Sequence, residues 1–569
     1  MPQLQIIARC RAIATPVTLA LACATSALPA MAEGQLRSLE RSGFPEPLAL
    51  ACSWDPALVR ETYSEIAAIA RAQGAKMVLG PSLAIERDPR RGRIDQSFGE
   101  DPYLVGELAV AAIEGLQGAG KPHELAAGKV FAAVTGFAGP GLPAEGVGPA
   151  PVAERELREV YFPPFEAAIR RTAVAAIVPS RNEIDGIPSH ANPWLLKDVL
   201  RGEFKFGGMV IATREGIADL HTVYRVSSDE VAALALARAS GADAGPMDVE
   251  PFAASHTAHS NAVAVNAARR SIVLLANNDI LPLSLPTAGR TPLKLALVEV
   301  GSMTSMLEEF RARMRDRGAV VTPGQADAVV LAIGEADVAA QRDAMAALAA
   351  LGKPVIAVLV SASPSIDPEV ARSSRAVVAA WGLGDGGPKA IVAVLFGDAN
   401  PGGKLPATLA QNAGQLPLFY DEKPTAHRGY LFGTTEPLYP FGWGLSYSSF
   451  ELGTPTLSST SVGADGSIQV SVEVRNNSKV AGDETIQLYV HGKVSSTTRP
   501  VKELKGFQRV TLKPGEKRTV RFTLEAASLA IRDMDMHRAV EPGEYEVMTG
   551  SSSVALKTAT LTVRKGAGK

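Results

Sequence analysis

The stretch that decides the fold, residues 80–106, reads GPSLAIERDPRRGRIDQSFGEDPYLVG. It follows the apolar run Lys76–Gly80, which predicts a buried strand that ends at a Gly-Pro pair. The segment Arg87–Arg93 predicts a loop, because it is charged and interrupted by Pro and Gly. Asp101 and Pro102 then predict a helix start, as N-cap and first helical residue. Strand, loop and helix form one βα unit, whose loop either binds a ligand or is fixed by its own arginines and aspartates.

The first part of the chain alternates short apolar runs with amphipathic segments. Alternation of this kind predicts an α/β fold with a parallel sheet, either doubly wound or closed into a barrel. The predicted strands are Leu48–Cys52, Lys76–Gly80, Lys129–Val134, Ala173–Val178 and Gly208–Ala212. The predicted helices between them include Pro56–Gln73, Leu104–Leu116 and Glu154–Arg171.

Two further domains are predicted downstream. Buried parallel strands indicate a second α/β domain: Leu293–Val300, Ala328–Ile333, Val355–Val360 and Ala376–Ala380. From Ser467 onward the apolar period becomes two, which predicts short half-buried strands of an antiparallel sandwich. Those strands include Thr485–Val490, Arg518–Leu524, Glu544–Met548 and Leu556–Val563.

Composition places the chain among globular proteins of several domains. It has 569 residues, of which 46% are hydrophobic, and a net charge of −2. This balance gives no basic face for nucleic acid and no acidic tail. Two arginines precede the apolar run Ala12–Leu28, and Ala30–Ala32 supplies the small residues of a cleavage site. Residues 1–32 therefore predict a secretory signal peptide and a secreted, periplasmic protein with no membrane span after signal removal, whereas a membrane anchor would need a longer run.

The sequence predicts neither a metal nor a cofactor. Removal of the signal takes Cys10 and Cys23 and leaves Cys52, so no intramolecular disulfide and no cysteine-based metal site is expected. Cys52 lies in an apolar run, which predicts a buried, inert thiol. The eight histidines lack the spacing of metal ligands. The run Gly384–Gly387 lacks the Lys-Ser/Thr of a phosphate-binding loop, which excludes nucleotide binding there.

Residues 80–106 resemble the RDPRWGR…SFGEDPYLVG signature of glycoside hydrolase family 3, the β-glucosidase and β-xylosidase family, with Arg91 in place of Trp. The similarity extends from about Phe44 to Val563 and includes Phe441–Tyr447, which resembles the family's FGYGLSYT. The resemblance implies an incomplete (β/α) barrel-like domain, an α/β sandwich domain and a fibronectin type III-like β-sandwich. The implied bounds are 33–250 for the barrel-like domain, 251–410 for the α/β sandwich, 411–451 for a linker and 452–566 for the β-sandwich.

The barrel-like domain is shorter than the ~250 residues of a complete (β/α)₈ barrel. The resemblance implies that the opening strands are missing, and that Ala242–Gly245 leads almost directly into the next domain. We therefore expect fewer than eight parallel strands. An unpaired sheet edge must be covered, and we expect either Glu33–Phe44 or a partner chain to cover it.

The resemblance also allows the positions of the family's two catalytic carboxyls to be compared with this sequence. Retaining glycosidases need two carboxyl groups about 5–5.5 Å apart, a nucleophile and an acid/base. The family's nucleophilic Asp, in a VVSDYF.I setting, falls on Thr213, whose hydroxyl cannot replace a carboxylate. The family's acid/base Glu lies in a loop after a Gly-Glu pair, and here Gly334–Asp337 runs directly into a predicted helix. The resemblance thus implies that both carboxyls are absent.

The family's sugar contacts have also changed. Its Lys-His pair falls on Thr135 and Gly136, a Tyr falls on Arg181, and an Arg falls near Val147. Only Arg93, at the end of the RDPRRGR segment, survives as a contact. Arg93 and Arg181 are therefore the predicted substrate-binding residues, and their charge favours an acidic saccharide. In the alternative, Arg93 pairs with a neighbouring aspartate and only fixes its loop.

Glu215 is the candidate for a relocated nucleophile. It lies two residues after Thr213, so it would face the same side about 6–7 Å away if the strand continued. Arg214 or Arg181 could hold it ionised. In the alternative, Glu215 is a loop carboxylate paired with an arginine, since a displacement of even ~1 Å costs catalysis heavily.

Three functions remain open at this point. We expect a secreted family homologue that has lost catalysis and acts as a carbohydrate-binding or scaffolding protein, with a saccharide, a protein partner or a second copy as its partner. The alternative is an atypical active β-glucosidase-type hydrolase of O-glycosyl bonds that uses Glu215 or another carboxylate. The third is a degenerate chain without a stable first domain, whose C-terminal part is an interaction module.

Overall fold

The computed structural model describes residues 36–39, 42–91, 94–118, 125–139, 148–252, 257–283, 293–302, 306–335, 337–361, 364–425 and 434–565. The predicted signal peptide and Arg93 lie outside these ranges. Within them the chain forms a curled parallel sheet with helices, then an α/β domain, then a β-sandwich. No helix in the described ranges is long and apolar enough to cross a membrane.

The first domain alternates strands and helices as predicted. Its strands are β1 (Leu36–Ser38), β2 (Met77–Ser82), β3 (Phe131–Phe137), β4 (Gly148–Pro149), β5 (Ala176–Pro179), β6 (Asn182–Ile184), β7 (Ile187–Pro188), β8 (Met209–Thr213) and β9 (Ala244–Met247). Its α-helices are α1 (Pro47–Ala51), α2 (Pro56–Ala72), α3 (Pro102–Gln117), α4 (Glu154–Glu156), α5 (Pro163–Arg171), α6 (Arg214–Thr222) and α7 (Glu230–Ser240), and π-helical turns span Leu157–Tyr161 and Trp194–Glu203. Asp101 caps α3 and Pro102 is its first residue, which confirms that prediction.

The parallel sheet of this domain curls until its two edges meet. Its strand order is β1-β2-β3-β5-β8-β9, six strands among the described residues. Beyond β9, the N–H of Ser38 donates to Glu250 O at 2.9 Å, and the N–H of Glu250 donates to Leu36 O at 3.0 Å. The prediction of fewer than eight parallel strands is confirmed for the described residues. The prediction that residues 33–44 cover an edge is also confirmed, because β1 lies in that segment.

Two elements of this domain differ from the sequence prediction. The predicted strand Leu48–Cys52 is the helix α1, which begins at Pro47. An apolar run this short has no period that separates strand from helix. Here its residues pack into the cores of both the first and the second domain. The segment Ala242–Gly245 contains the start of β9, a strand that the sequence did not predict. That strand reads Ala-Gly-Pro-Met, and Gly and Pro weaken the strand pattern.

The second domain is an α/β domain, as predicted. Its elements are α8 (Ala258–Ser271), β10 (Val273–Asn277), β11 (Lys294–Val300), α9 (Met306–Arg315), β12 (Ala319–Val320), β13 (Ala328–Ile333), α10 (Val338–Ala349), β14 (Val355–Leu359), α11 (Pro368–Ser373), β15 (Ala376–Ala379) and α12 (Gly387–Leu395). The sheet order is β10-β15-β14-β13-β11-β12, with β10 antiparallel to β15 and the other pairs parallel.

The third domain is the predicted antiparallel sandwich. Its strands are β16 (Phe450–Leu452), β17 (Thr456–Leu457), β18 (Ser461–Gly463), β19 (Ser467–Asn476), β20 (Gly482–Gly492), β21 (Glu503–Leu512), β22 (Lys517–Glu525), β23 (Ile531–Arg532), β24 (Arg538–Ala539), β25 (Gly543–Gly550) and β26 (Leu556–Arg564). Buried and exposed residues alternate along β19, because one face of the sheet is in the core. One sheet has the order β18-β26-β25-β20-β21, and the other is built around β19.

Lys404 joins the three domains. Its backbone N–H donates to Cys52 O at 2.8 Å, and its carbonyl accepts a hydrogen bond from Trp54 Nε1 at 3.1 Å. Its ammonium donates to Gly444 O at 2.8 Å and forms an ion pair of 2.8 Å with Glu484, and both charged side chains are buried. Separating a buried ion pair leaves uncompensated charges, which is costly. The pair of Lys404 and Glu484 therefore opposes a change in the arrangement of the domains.

Candidate active-site region

The carboxyl ends of the barrel strands all lie at one end of the curled sheet, because the strands are parallel. The loops after β2, β3, β5, β8 and β9 start there, and this is where α/β barrels place their catalytic groups. Thr213 ends β8, and Arg181 follows β5 by two residues. The topology therefore brings Thr213, Arg181 and Glu215 to one end of the barrel.

Thr213 is the N-cap of α6. Its backbone is extended, with φ −77° and ψ 159°, and its Oγ1 accepts a hydrogen bond from the N–H of Gly216 at 3.0 Å. The strand does not continue past Thr213, so Glu215 does not face the barrel along an extended strand. Glu215 lies instead in the first turn of α6 and is exposed. The strand stops because the cap hydrogen bond satisfies a donor of a new helix.

The two arginines near Thr213 are each held by an aspartate. Arg181 donates from Nε and Nη2 to the two carboxylate oxygens of Asp219, at 2.6 and 3.0 Å. Arg214 donates in the same way to Asp248, at 2.6 and 2.9 Å. The hydrogen bonds that Arg181 donates to Asp219 raise the pKa of Arg181 above its usual value, and the more distant charge of Glu215 adds to this. Such two-point pairs fix a guanidinium in orientation.

Glu215 forms no hydrogen bond or ion pair with any residue in the part of the chain that the structure describes. The expected pairing with a neighbouring arginine is therefore not formed, because Asp219 and Asp248 occupy both guanidinium groups. Glu215 still lies within electrostatic reach of Arg181 and Arg214, whose pKa values it helps to raise.

His190 is a buried residue of this region that the sequence analysis did not single out. Its Nδ1 lies 3.1 Å from Ser180 O, and its ring packs against α6 at Gly216. A Cβ at residue 216 would lie 2.3 Å from His190 Nε2, so only glycine fits there. Burial lowers the pKa of His190 to about 4, so the ring is neutral at neutral pH. One lone histidine in a polar stretch carries no signal of burial, which is why it was missed.

The loop between β2 and α3 is held by ion pairs within the loop and by contacts with the linker (residues 411–451). Arg87 is buried, forms an ion pair of 2.6 Å with Asp421, and lies 4.2 Å above the centre of the Phe419 ring. Arg90 donates to both oxygens of Asp88, at 2.8 and 2.6 Å. For these two arginines the loop-fixing alternative is therefore the one that the structure shows.

The two carboxyls of the Gly-Glu-Asp-Pro sequence bind residues at the end of the second domain and in the linker, rather than facing a pocket. Glu100 accepts hydrogen bonds from Thr408 N (2.6 Å), Thr408 Oγ1 (2.7 Å) and Tyr420 N (3.0 Å). Asp101 accepts from Leu104 N at 2.6 Å and from the Tyr420 hydroxyl at 2.7 Å. Burial raises the pKa of Glu100 to about 8 and that of Asp101 to about 7. These carboxyls thus join the barrel to the end of the second domain and to the linker.

The connection between β13 and α10 is short. The strand β13 ends at Ile333, Asp337 is the N-cap of α10, and the helix begins at Val338. In the first domain, Thr135 and Gly136 lie on β3. Val147 lies outside the described residues.

Comparisons with known proteins identify the family. Residues 9–252 match the glycosyl hydrolase family 3 N-terminal domain, residues 272–447 match its C-terminal domain, and residues 484–553 match the fibronectin type III-like domain. The first match begins well before Phe44, so the similarity starts earlier than the sequence analysis placed it.

Relatives of known activity support the same assignment. A β-xylosidase of Formosa agariphila is 32% identical over 92% of this chain and 88% of its own length. A periplasmic β-glucosidase of Salmonella typhimurium is 29% identical over 91% of this chain and 84% of its own. A β-glucosidase structure from Erythrobacter marinus superposes with a TM-score of 0.83 at 29% identity, over 92% of this chain and 85% of that one. A β-glucosidase of Listeria innocua, solved with glucose, gives a TM-score of 0.82 at 28% identity, over 91% and 86%. With all three domains matched in order, the chain belongs to glycoside hydrolase family 3.

Proposed function

We propose that this chain is a family 3 protein that has lost the retaining mechanism and acts as a carbohydrate-binding or scaffolding protein. The observation that carries the proposal is Thr213. It ends β8 where the family resemblance expects the nucleophilic Asp, and its hydroxyl is used as a helix cap. A capped threonine hydroxyl has a pKa far from neutral and no adjacent base, so it cannot form the glycosyl ester that a carboxylate forms.

The carboxylates around Thr213 support this reading. Asp219 and Asp248 each accept two hydrogen bonds from one arginine, so both oxygens of each carboxylate are already engaged. Glu215 is exposed on α6, outside the strand from which the family's nucleophile attacks. The short connection from β13 to α10 supports the proposed loss of the acid/base residue as well.

The proposed ligand is a neutral saccharide. The pair of Arg181 with Asp219 neutralises one of the two charges on which the expectation of an acidic saccharide rested. The solved relative from Listeria innocua binds glucose, and another structure of it contains laminaribiose. Arg93, which lies outside the described residues, remains the proposed sugar contact. Calorimetry of wild type and Arg93→Ala with glucose, xylose and glucuronate tests this, and equal affinity of the two proteins would remove Arg93 from the site.

The predicted compartment is part of the same proposal. The arginines and apolar run of residues 1–32 support secretion, and the Salmonella relative is described as periplasmic. The continuous core of the first domain argues against a chain without a stable first domain.

A hydrolysis assay tests the proposal. Purified mature protein should release no aryl leaving group from aryl β-glucosides or β-xylosides above the uncatalysed background, while the Formosa relative serves as a positive control. An atypical active hydrolase is the second candidate, because Glu215 is exposed and has no ion-pair partner among the described residues. Turnover that Glu215→Gln abolishes, and that Glu230→Gln in the first turn of α7 leaves intact, would establish that candidate instead.

A further inference from the structure

A groove of about 260 Å³ lies where the first domain meets the β-sandwich. The first turns of α2 and α3 form one wall, and residues of β21 form the other. The groove shares no residue with the carboxyl ends of the barrel strands described above. Because three elements of two domains build it, its shape depends on the fixed domain arrangement.

The floor of the groove is a rigid aromatic platform. Trp54 is fully buried, and its Nε1 donates to Lys404 O at 3.1 Å. Phe507 packs edge-on against Trp54 with ring centres 5.3 Å apart, and Tyr103 packs edge-on against Phe507 at 6.2 Å. Tyr103 and Phe507 are both half-buried, so part of each ring faces the groove. A pyranose ring has an apolar face of carbon-bound hydrogens, and partly exposed aromatic rings are the surfaces on which such a face packs.

Polar groups with the chemistry of hydroxyl recognition surround this platform. The hydroxyl of Tyr103 and the side-chain amide of Gln508 have no hydrogen-bond partner among the described residues, although both residues line the groove. The charged residues of the lining are Asp55, Glu107 and Arg509. They are held by ion pairs with Arg270 (2.7 Å), Arg171 and Asp483 (2.8 Å), respectively. Each charge is thus compensated, so the groove offers donors and acceptors without a net charge. This combination fits a neutral polyol better than an ion.

We propose that this groove binds one neutral pyranose ring of a glycoside, at a site separate from the barrel end. The proposal rests on the carbohydrate-binding function proposed above and gives it a second location. Its size suits a single ring, since pockets for larger drug-sized ligands start at about 300 Å³. The ring stacks on Tyr103 and Phe507, and its hydroxyls bind Gln508 and the carboxylate of Glu107 or Asp55.

Saturation-transfer NMR with methyl β-glucopyranoside and methyl β-xylopyranoside on the full mature chain tests the proposal. Ala57 is exposed on the groove wall, so Ala57→Trp fills the groove without removing a core contact. We expect Ala57→Trp to weaken binding at least about tenfold, and Gln508→Ala to weaken it less. Ala347→Trp, an equally exposed alanine on α10, is the matched control and should bind as wild type does. Unchanged unfolding temperatures establish that the variants are folded.

Two results would overturn the proposal that the groove binds a pyranose ring. One is no binding of either methyl glycoside to wild type at millimolar concentration. The other is binding that Ala57→Trp leaves unchanged; if Arg181→Ala then abolishes it, the saccharide binds at the barrel end, and the carbohydrate-binding function survives without the groove. Hydrolysis in the assay above would overturn the proposed loss of catalysis and leave the groove test unaffected.

Discussion

Thr213 occupies a position where a strand becomes a helix, and an N-cap is required there. Asp and Thr are both good N-caps, because each side chain offers an oxygen to the free N–H groups of the first turn. The hydrogen bond from Gly216 to Thr213 Oγ1, 3.0 Å long, fills this role in the present chain. A change from Asp to Thr at this position therefore removes a carboxylate without removing the cap, which explains how the fold and the family chemistry can separate.

The cap leads to the first prediction. Thr213→Ala should lower the free energy of unfolding by about 1 kcal/mol, and Thr213→Asp should leave it nearly unchanged. Urea denaturation of the purified chain measures both. Thr222→Ala is the control, because this exposed hydroxyl bonds only a carbonyl within its own helix. An unchanged stability of Thr213→Ala would show that the hydroxyl is not needed as a cap.

Single residues differ in how far the sequence predicted them. Asp101 as a helix cap and Cys52 as a buried thiol followed from local patterns, and burial raises the pKa of Cys52 to about 12. The pairing of Arg181 with Asp219 could not be predicted, because the two residues are 38 positions apart in the chain. Local sequence gives the cap and the burial, whereas the choice of an ion-pair partner depends on the tertiary fold.

At the scale of elements, the first turn of α6 lies in close contact with the segment after β5. Gly216 lies against the ring of His190, and a Cβ there would meet Nε2 at 2.3 Å. His190 is itself held by Ser180 O at 3.1 Å, so the ring has little freedom to move. The start of α6, and with it Thr213 and Glu215, therefore depends on a glycine.

This contact gives the second prediction. Gly216→Ala should destabilise the protein by about 1–3 kcal/mol through overpacking, although Ala is otherwise the better helix residue. Gly207→Ala is the control, since a Cβ there would meet nothing within 4 Å. Thermal or urea unfolding measures the effect. The double variant His190→Ala/Gly216→Ala should recover part of the loss, and no recovery would mean that the ring is not the obstacle.

Elements with strong patterns were predicted and elements with weak ones were not. The strands β2, β3, β5 and β8 coincide with apolar runs and were predicted. The strand β9 contains Gly and Pro and was not predicted. The helix α1 was predicted as a strand, because its five residues carry no helical period. The curled sheet closes through Leu36, Ser38 and Glu250, and no local pattern indicates a contact between positions so far apart.

At the scale of the whole molecule, buried carboxyls join the barrel to the end of the second domain and to the linker. Glu100 and Asp101 make these contacts through Thr408 of the second domain and Tyr420 of the linker. Arg87, Asp421 and the Tyr420 hydroxyl are the other charged or titratable groups that act on them. Burial dominates, so both carboxyls have raised pKa values in the folded protein.

The third prediction is a pH dependence of stability with a defined sign. An acid whose pKa rises on folding keeps its proton in the folded state while the unfolded chain releases it, so stability falls as the pH increases. For Asp101 the window extends from its ordinary value of 3.8 to about 7, and for Glu100 from 4.5 to about 8. Their contribution is thus fully present below about pH 4 and lost by pH 8.

Asp101→Asn tests this sign, because Asn is also a good N-cap and imitates the protonated carboxyl. Its stability should decrease less than that of wild type between pH 5 and pH 8 in urea denaturation. Asp229→Asn is the control, since Asp229 is an exposed N-cap whose pKa is lowered by hydrogen bonds. An equal decrease in wild type and Asp101→Asn would contradict the prediction that Asp101 keeps its proton in the folded protein.

A trapping experiment distinguishes a chain that has lost the retaining mechanism from one that keeps it. Retaining glycosidases form a covalent glycosyl-enzyme on a carboxylate, and a fluorinated glycoside with a good leaving group accumulates that intermediate because its second displacement is slow. Intact-mass spectrometry of the mature chain after incubation with fluorinated glucoside and xyloside measures the adduct. We expect the mass of the mature chain to be unmodified. An added sugar mass that maps to Glu215, and that is absent in Glu215→Gln, would contradict it.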